Sequence, residues 1–123
     1  IDENSNWLAE PIYSYMSSFQ EDMAVIKKDE LFGYLNFKGI EIIKPQYNTA
    51  YRFSEGLAVV IKGSYETGLR GYIDTEGNYV IEPKFNWAYS FNNGLAHIAY
   101  GDYSSGTFGY INKKGELVSP ARN

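Results

Sequence analysis

A seven-residue phrase returns at a constant step, and that regularity limits the fold more than any other feature of the chain. Gly33-Tyr34-Leu35-Asn36-Phe37-Lys38-Gly39 recurs as Gly71-Tyr72-Ile73-Asp74-Thr75-Glu76-Gly77 and then as Gly109-Tyr110-Ile111-Asn112-Lys113-Lys114-Gly115, each time 38 residues on. The stretch downstream keeps the same step: Pro45, Tyr47, Ala50, Tyr51, Phe53 and Gly56-Leu57-Ala58-Val59-Val60 match Pro83, Phe85, Ala88, Tyr89, Phe91 and Gly94-Leu95-Ala96-His97-Ile98. An eroded copy precedes them in Pro11, Tyr13, Phe19 and Met23-Ala24-Val25-Ile26. A period of this size means one supersecondary unit stacked on its copies, each burying a face that its neighbour supplies. The chain therefore reads as a single repeat domain, 1–123, with a partial unit at 11–32, full units at 33–70 and 71–108, and a partial unit at 109–120. The first fragment is the back half of a unit and the last is the front half. Excision from a longer array, in keeping with a chain that opens at Ile1, is one account of these ends. Pairing of the two halves to close the molecule is the other.

The unit itself reads as β structure. Asn36, Asp74 and Asn112 each lead a turn that glycine closes three residues later, the pattern of a type I turn with a left-handed Gly in a bulge. Gly-Tyr-Leu/Ile before the turn and pairs such as Ile42-Ile43 or Val80-Ile81 after it make a β-hairpin. Pro45 and Pro83 are expected to end its second strand, since proline cannot donate to a ladder. Ser54-Glu55-Gly56 and Asn92-Asn93-Gly94 are further turns, leading into third strands at Leu57 to Ile61 and Leu95 to Ala99. Lys62 to Arg70 and Tyr100 to Phe108 read as loops, and the first linker, Lys27 to Phe32, is shorter. A short turn of helix is expected near Ser14 to Ser18, and no sustained 3.6-residue apolar stripe occurs elsewhere. The expected fold is all-β: hairpin-plus-third-strand units, about ten strands in all, stacked as a barrel-like or solenoid module. A propeller, which needs four blades as a rule, is set aside.

Each unit follows Gly-Tyr-Ile-Asp-x-x-Gly-x-x-Val-Ile-x-Pro-x-Tyr/Phe-x-x-Ala-x-x-Phe-x-x-Gly-Leu-Ala-x-Val, which resembles the bacterial WG-repeat (KWG-repeat) proteins over nearly all of residues 11–120. The family's Trp before Gly is replaced here by Phe32, Arg70 and Phe108. The resemblance implies an all-β tandem module of poorly defined function, common in envelope-associated or secreted bacterial proteins. The family has no catalytic residues to carry over.

The residues themselves offer little chemistry. Cysteine is absent and His97 is the single histidine, so thiolate sites, disulfides and multi-histidine metal sites cannot form within one chain. No cofactor or metal is expected. Phosphate-cradling, serine-nucleophile, zinc-protease and EF-hand motifs are missing, and the chain reads as a non-enzyme. With 11 Lys and Arg against 15 Asp and Glu, nucleic acid is a poor partner. Leu57 to Ile61 is the longest aliphatic run, far too short to insert as a membrane helix. His97 reads as a strand residue, Asp74 as a turn residue, and Glu55 and Glu76 as solvated turn carboxylates. Asp102 to Gly106 reads as a polar loop.

The aromatic residues remain. Thirteen of them recur at repeat positions (Tyr34, Tyr72 and Tyr110, for example) and are expected to build cores and seams. Trp87 stands where the sister unit has Thr49, and Tyr65, Tyr100 and Tyr103 lie in variable linkers. With Tyr79 they are the candidate ligand contacts, because loops on a rigid scaffold are where binding concentrates. The expected role is a protein-binding β-repeat module. Carbohydrate or cell-wall binding is the alternative and a structural spacer the third, with dimers through edge strands also expected.

Overall fold

The computed structural model describes residues 13–100 and 106–122, which contain twelve β-strands and no helix. They form three antiparallel four-stranded sheets. The first holds β1 (Tyr15–Met16), β2 (Met23–Lys28), β3 (Leu31–Asn36) and β4 (Glu41–Tyr47), in that order. The second holds β5 (Thr49–Ala50), β6 (Ala58–Lys62), β7 (Leu69–Ile73) and β8 (Tyr79–Phe85). The third holds β9 (Trp87–Ala88), β10 (Ala96–Tyr100), β11 (Thr107–Ile111) and β12 (Leu117–Arg122). The sheets stack in a solenoid-like row and no closed barrel forms. The two end segments do not pair with each other. Each completes a sheet with its sequence neighbour, so every sheet joins the back half of one sequence repeat to the front half of the next.

Local chemistry accounts for most boundaries. Asn36, Asp74 and Asn112 each accept two backbone N–H bonds at 2.9 and 3.0 Å through the side-chain oxygen, and Gly39, Gly77 and Gly115 close these turns at φ 83, 88 and 84°. Glu55-Gly56 and Asn93-Gly94 are two-residue hairpin turns with positive φ at both positions, the type I′ form that suits strand twist. Asp29 and Glu30 adopt the same form, so the short first linker is a tight turn between β2 and β3.

Three expectations are corrected. Ser14 to Ser18 is not helical: Ser14 and Ser17 donate backbone N–H bonds to Lys27 and Val25, which draws the segment alongside β2 as β1. The stretches after Tyr47 and Phe85 also yield two-residue strands, giving four strands per sheet rather than three. Pro45 and Pro83 do not end their strands, because β4 and β8 are sheet edges where a missing donor is tolerated. The ladder there is bulged, with Phe32 opposite Tyr47 but Tyr34 opposite Ile43. Gly33 and Gly71 lie beneath these bulges. A Cβ on Gly71 would sit 2.7 Å from both Ile81 O and Pro83 N, so the Gly of the Gly-Tyr pair is demanded by the bulged backbone that crosses it.

Each sheet has a forward and a backward face. Met23, Val25, Tyr34, Ile43 and Tyr47 point forward from the first sheet onto Ala50, Phe53, Ala58, Val60 and Ile73 of the second. Leu57, Val59, Tyr72, Ile81 and Phe85 do the same toward Phe91, Ala96, Ile98 and Ile111 of the third. The middle strand β6 is thus buried on both faces, which explains its unbroken Ala-Val-Val-Ile run. Tyr34 and Tyr72 are fully buried and donate hydroxyl bonds of 2.7 Å to the carbonyls of Tyr51 and Tyr89 in the following sheet. Burial raises both phenols well above their usual range.

A second set of contacts runs along the turns. Glu21 accepts N–H bonds from Glu55 and Gly56 at 2.6 and 2.8 Å, and Glu55 accepts from Asn93 and Gly94 at 2.5 and 2.8 Å. Each turn therefore presents a carboxylate to the amides of the next. Lys113 lies 3.6 Å from Glu55. Glu55 is not the free, solvated turn carboxylate its sequence suggests. The Gly94 amide foremost, then Asn93 and Lys113, hold its pKa below the ordinary 4.5.

Two outcomes follow from these contacts. Gly71→Ala is expected to lower unfolding free energy by about 2–3 kcal/mol through overpacking. Gly94→Ala, at φ 83° but with open space around it, should lose about 1 kcal/mol of backbone strain only. Urea titration checks the ranking, and equal losses would refute the bulge argument. The carboxylate ladder sets a pH dependence. A depressed folded pKa adds stability above the unfolded value near 4.5, and that stability disappears as pH falls through the folded value. Glu55→Gln should therefore differ from the parent most at neutral pH, with the gap closing on acidification below 4.5 in thermal melts.

Candidate functional site

On the forward face, the residue before the repeated glycine is aromatic in the first and third sheets and a cation in the second. In the first sheet it is Phe32, which meets Tyr15 edge-on at 6.4 Å with the Lys27 ammonium 5.4 Å from its ring centre. In the second sheet it is Arg70. Its long stem and planar head replace a ring, yet it is only 2% exposed. A buried guanidinium needs acceptors and a polarisable surround. Here Nη1 donates to Gly68 O at 2.9 Å and Nη2 to Tyr65 O at 3.0 Å, closing the 63–68 loop onto the sheet. The guanidinium carbon lies 4.6 Å from the Trp87 ring centre and 5.2 Å from that of Tyr65, both cation–π distances.

Trp87 and Tyr65, two candidates from separate segments, are thereby brought together. Their rings stand 6.0 Å apart at 78°, edge to face. With Tyr51, Val59, Arg70 and Tyr89 they line a cleft of about 150 Å³ between the second and third sheets. A neighbouring cleft of about 290 Å³, lined by Gln20, Arg52, Phe53 and Ser54, shares Tyr51 and Ser90 with it. The two clefts adjoin at these shared residues, as a groove along the side of the stack that carries the short strands. Arg52 flanks it and donates to Ser18 Oγ at 3.1 Å. Burial first, and then Tyr65, raises the Tyr51 phenol, while Arg70 pulls the other way.

The remaining candidates lie elsewhere. Tyr79 is half-buried against the core between the first and second sheets, and burial raises its phenol. Tyr100 leans on Phe85 at 5.4 Å. Tyr103 and the Asp102 to Gly106 loop fall largely outside the described residues, with only Gly106 inside them. Sequence reasoning missed Arg70 and Tyr51 as members of the groove. Arg70 is marked in sequence as the repeat position where a cation replaces an aromatic, and Tyr51 reads as a core or seam residue because it recurs as Tyr89. Both of these tyrosines are in fact exposed, at 40% and 48%.

Among the described residues no group of three or more His, Asp and Glu is placed to hold a metal ion, and no helix is long and apolar enough to cross a membrane. His97 lies half-buried on β10, stacked on Tyr89.

This repeated forward-and-backward sheet unit, with its Gly-Tyr strand and Asx-Gly turn, defines a class of β-repeat module. The model of the WG containing repeat matches residues 1–32, 32–65, 71–102 and 108–122, and the chain belongs to that family. The later matches begin close to β3, β7 and β11, which places the family's repeat half a sheet out of phase with the sheets. No curated protein and no solved structure matches the chain.

Arg70 and Trp87 should behave as a pair, since Phe32 has Thr49 at the position matching Trp87. In a double-mutant cycle, Arg70→Phe and Trp87→Thr are each expected to destabilise. The double variant, which rebuilds the first-sheet combination, should lose about 1 kcal/mol less than their sum. Denaturant unfolding of the four proteins measures that coupling, and strict additivity would refute it.

Proposed function

We propose that this chain is a non-enzymatic interaction module that binds an extended segment of a partner protein along the groove at Tyr51, Arg52, Tyr65 and Trp87. One observation carries this reading. Trp87 and Tyr65, which the repeat does not require, converge on an open groove that crosses from one sheet to the next. Aromatic anchors beside arginine are the residue types that dominate protein recognition, and a groove of joined clefts suits a chain more than a compact ligand. A sugar ring favours a flat, open aromatic platform. Here the Trp87 face is occupied by Arg70 and the Tyr65 ring stands edge-on, which weighs against the carbohydrate reading.

Panning a random peptide library on the purified chain, with a glycan array run in parallel, tests the proposal. Enrichment of a peptide motif that loses binding on Trp87→Ala supports it. Tyr51→Ala and Arg52→Ala, which alter exposed side chains, serve where Trp87→Ala compromises folding. Glycan binding lost in the same variants would replace this reading with the carbohydrate one. Absence of any ligand would leave a spacer and overturn it.

A further inference from the structure

Two arginines line the groove at Tyr51, and neither is set against a carboxylate. Arg70 is buried, and carbonyls and rings rather than an acid hold its guanidinium. Arg52 is exposed and spends one Nη1 bond of 3.1 Å on the Ser18 hydroxyl. A guanidinium carries five N–H donors, so most of those on Arg52 stay open to solvent. Ion pairs among the described residues join Lys27 to Glu30 and Lys113 to Glu55, and neither of these arginines takes part. Among the described residues no Asp or Glu lines either cleft. Glu21 and Glu55, which adjoin the lining in sequence, are turned onto the amides of Glu55-Gly56 and Asn93-Gly94. The Arg70 charge is felt at the Tyr51 phenol, whose pKa it pulls down against the effect of burial. A chain of net charge −4 thus carries a cationic groove.

We infer that the partner segment is acidic: it sets an Asp or Glu side chain on Arg52, beside an apolar side chain that enters the cleft at Trp87 and Tyr65. The inference rests on the groove reading above and adds the chemistry of the segment the groove takes. Opposite charge across an interface selects partners and steers their approach, and a cleft with low-dielectric walls focuses that field. A carboxylate accepts two parallel N–H bonds from one guanidinium, which fixes its orientation as well as its charge. Ser90 and Tyr51 stand where the clefts adjoin, so two hydroxyl groups flank the same spot. Because the clefts share these residues, the apolar anchor and the carboxylate belong to one short stretch of the partner. A neutral segment would cover Arg52 without replacing its water, and a basic one would add repulsion from both arginines.

The probe is the peptide enriched by panning the random library on the full chain, resynthesised with each Asp→Asn and Glu→Gln in turn and titrated by fluorescence anisotropy. One carboxylate is expected whose neutralisation weakens binding at least about tenfold. Arg52→Gln should lose a similar factor, and the peptide change should then cost little more, as for two partners of one contact. Lys38→Gln, which removes the same charge from an exposed hairpin turn, should leave affinity unchanged. The peptide series needs no protein variant, so it decides the matter even where Arg52→Gln impairs folding. Peptides that lose binding on Tyr51→Ala, yet depend on no carboxylate or are indifferent to Arg52→Gln, overturn this inference and leave the groove reading standing. A library that yields no binder overturns both, as does a glycan array on which an acidic glycan binds at Arg52 and no peptide does.

Discussion

Face-to-face burial between consecutive sheets is the contact on which everything else rests. A four-stranded meander of this size has too little interior of its own, and each sheet here lends side chains to a core shared with its neighbour. The decisive element is the strand tyrosine. Tyr34 meets Phe53 edge-on at 4.8 Å and Tyr72 meets Phe91 at 4.9 Å, in each case across the sheet boundary. Edge-to-face rings contribute about 0.5–1.5 kcal/mol beyond simple burial. The tyrosine hydroxyl then satisfies a carbonyl of the following sheet, so one side chain supplies both the apolar and the polar part of the joint.

The phase shift between repeat and sheet strengthens that joint. Because β1 and β2 come from the tail of one sequence repeat and β3 and β4 from the head of the next, no sequence repeat can form its sheet alone. The joints are also directional. Glu21 and Glu55 send carboxylates forward, Tyr34 and Tyr72 send hydroxyls forward, and the hairpin turn at Gly77 packs backward on Ile43. Such nearest-neighbour coupling is the basis of stability in stacked repeats.

Much of this was legible in the chain because glycine and Asx chemistry is local. The Asn36, Asp74 and Asn112 turns need only four residues in sequence, and they formed as their spacing required. What stayed illegible depends on the neighbouring sheet. Tyr34, Tyr72 and Tyr110 are identical by pattern, yet Tyr110 is half exposed because no sheet among the described residues covers it. Glu55 looks like any turn carboxylate until the amides of Asn93 and Gly94 arrive from 38 and 39 residues away. The two-residue strands escaped notice because a pair of residues carries no alternation to read. The groove was half visible: departure from the repeat marked Trp87 and Tyr65, but nothing in sequence joins them to Tyr51.

The residue before the repeated glycine shows how a stacked repeat acquires individuality without losing its frame. Its backbone is held by the bulge above Gly33 or Gly71, so its side chain always projects into the space ahead of the sheet. Phe32 fills that space with help from Tyr15 and Lys27. Arg70 fills it only because two carbonyls take its protons and two rings take its faces, which requires the 63–68 loop and Trp87. Phe108 has His97 and its neighbouring rings instead. The scaffold tolerates all three because the bulge and the Gly-Tyr strand do not depend on which side chain stands there. Variation is therefore concentrated at the joints between sheets, where a changed residue alters a surface or a groove while the ladders behind it stay the same.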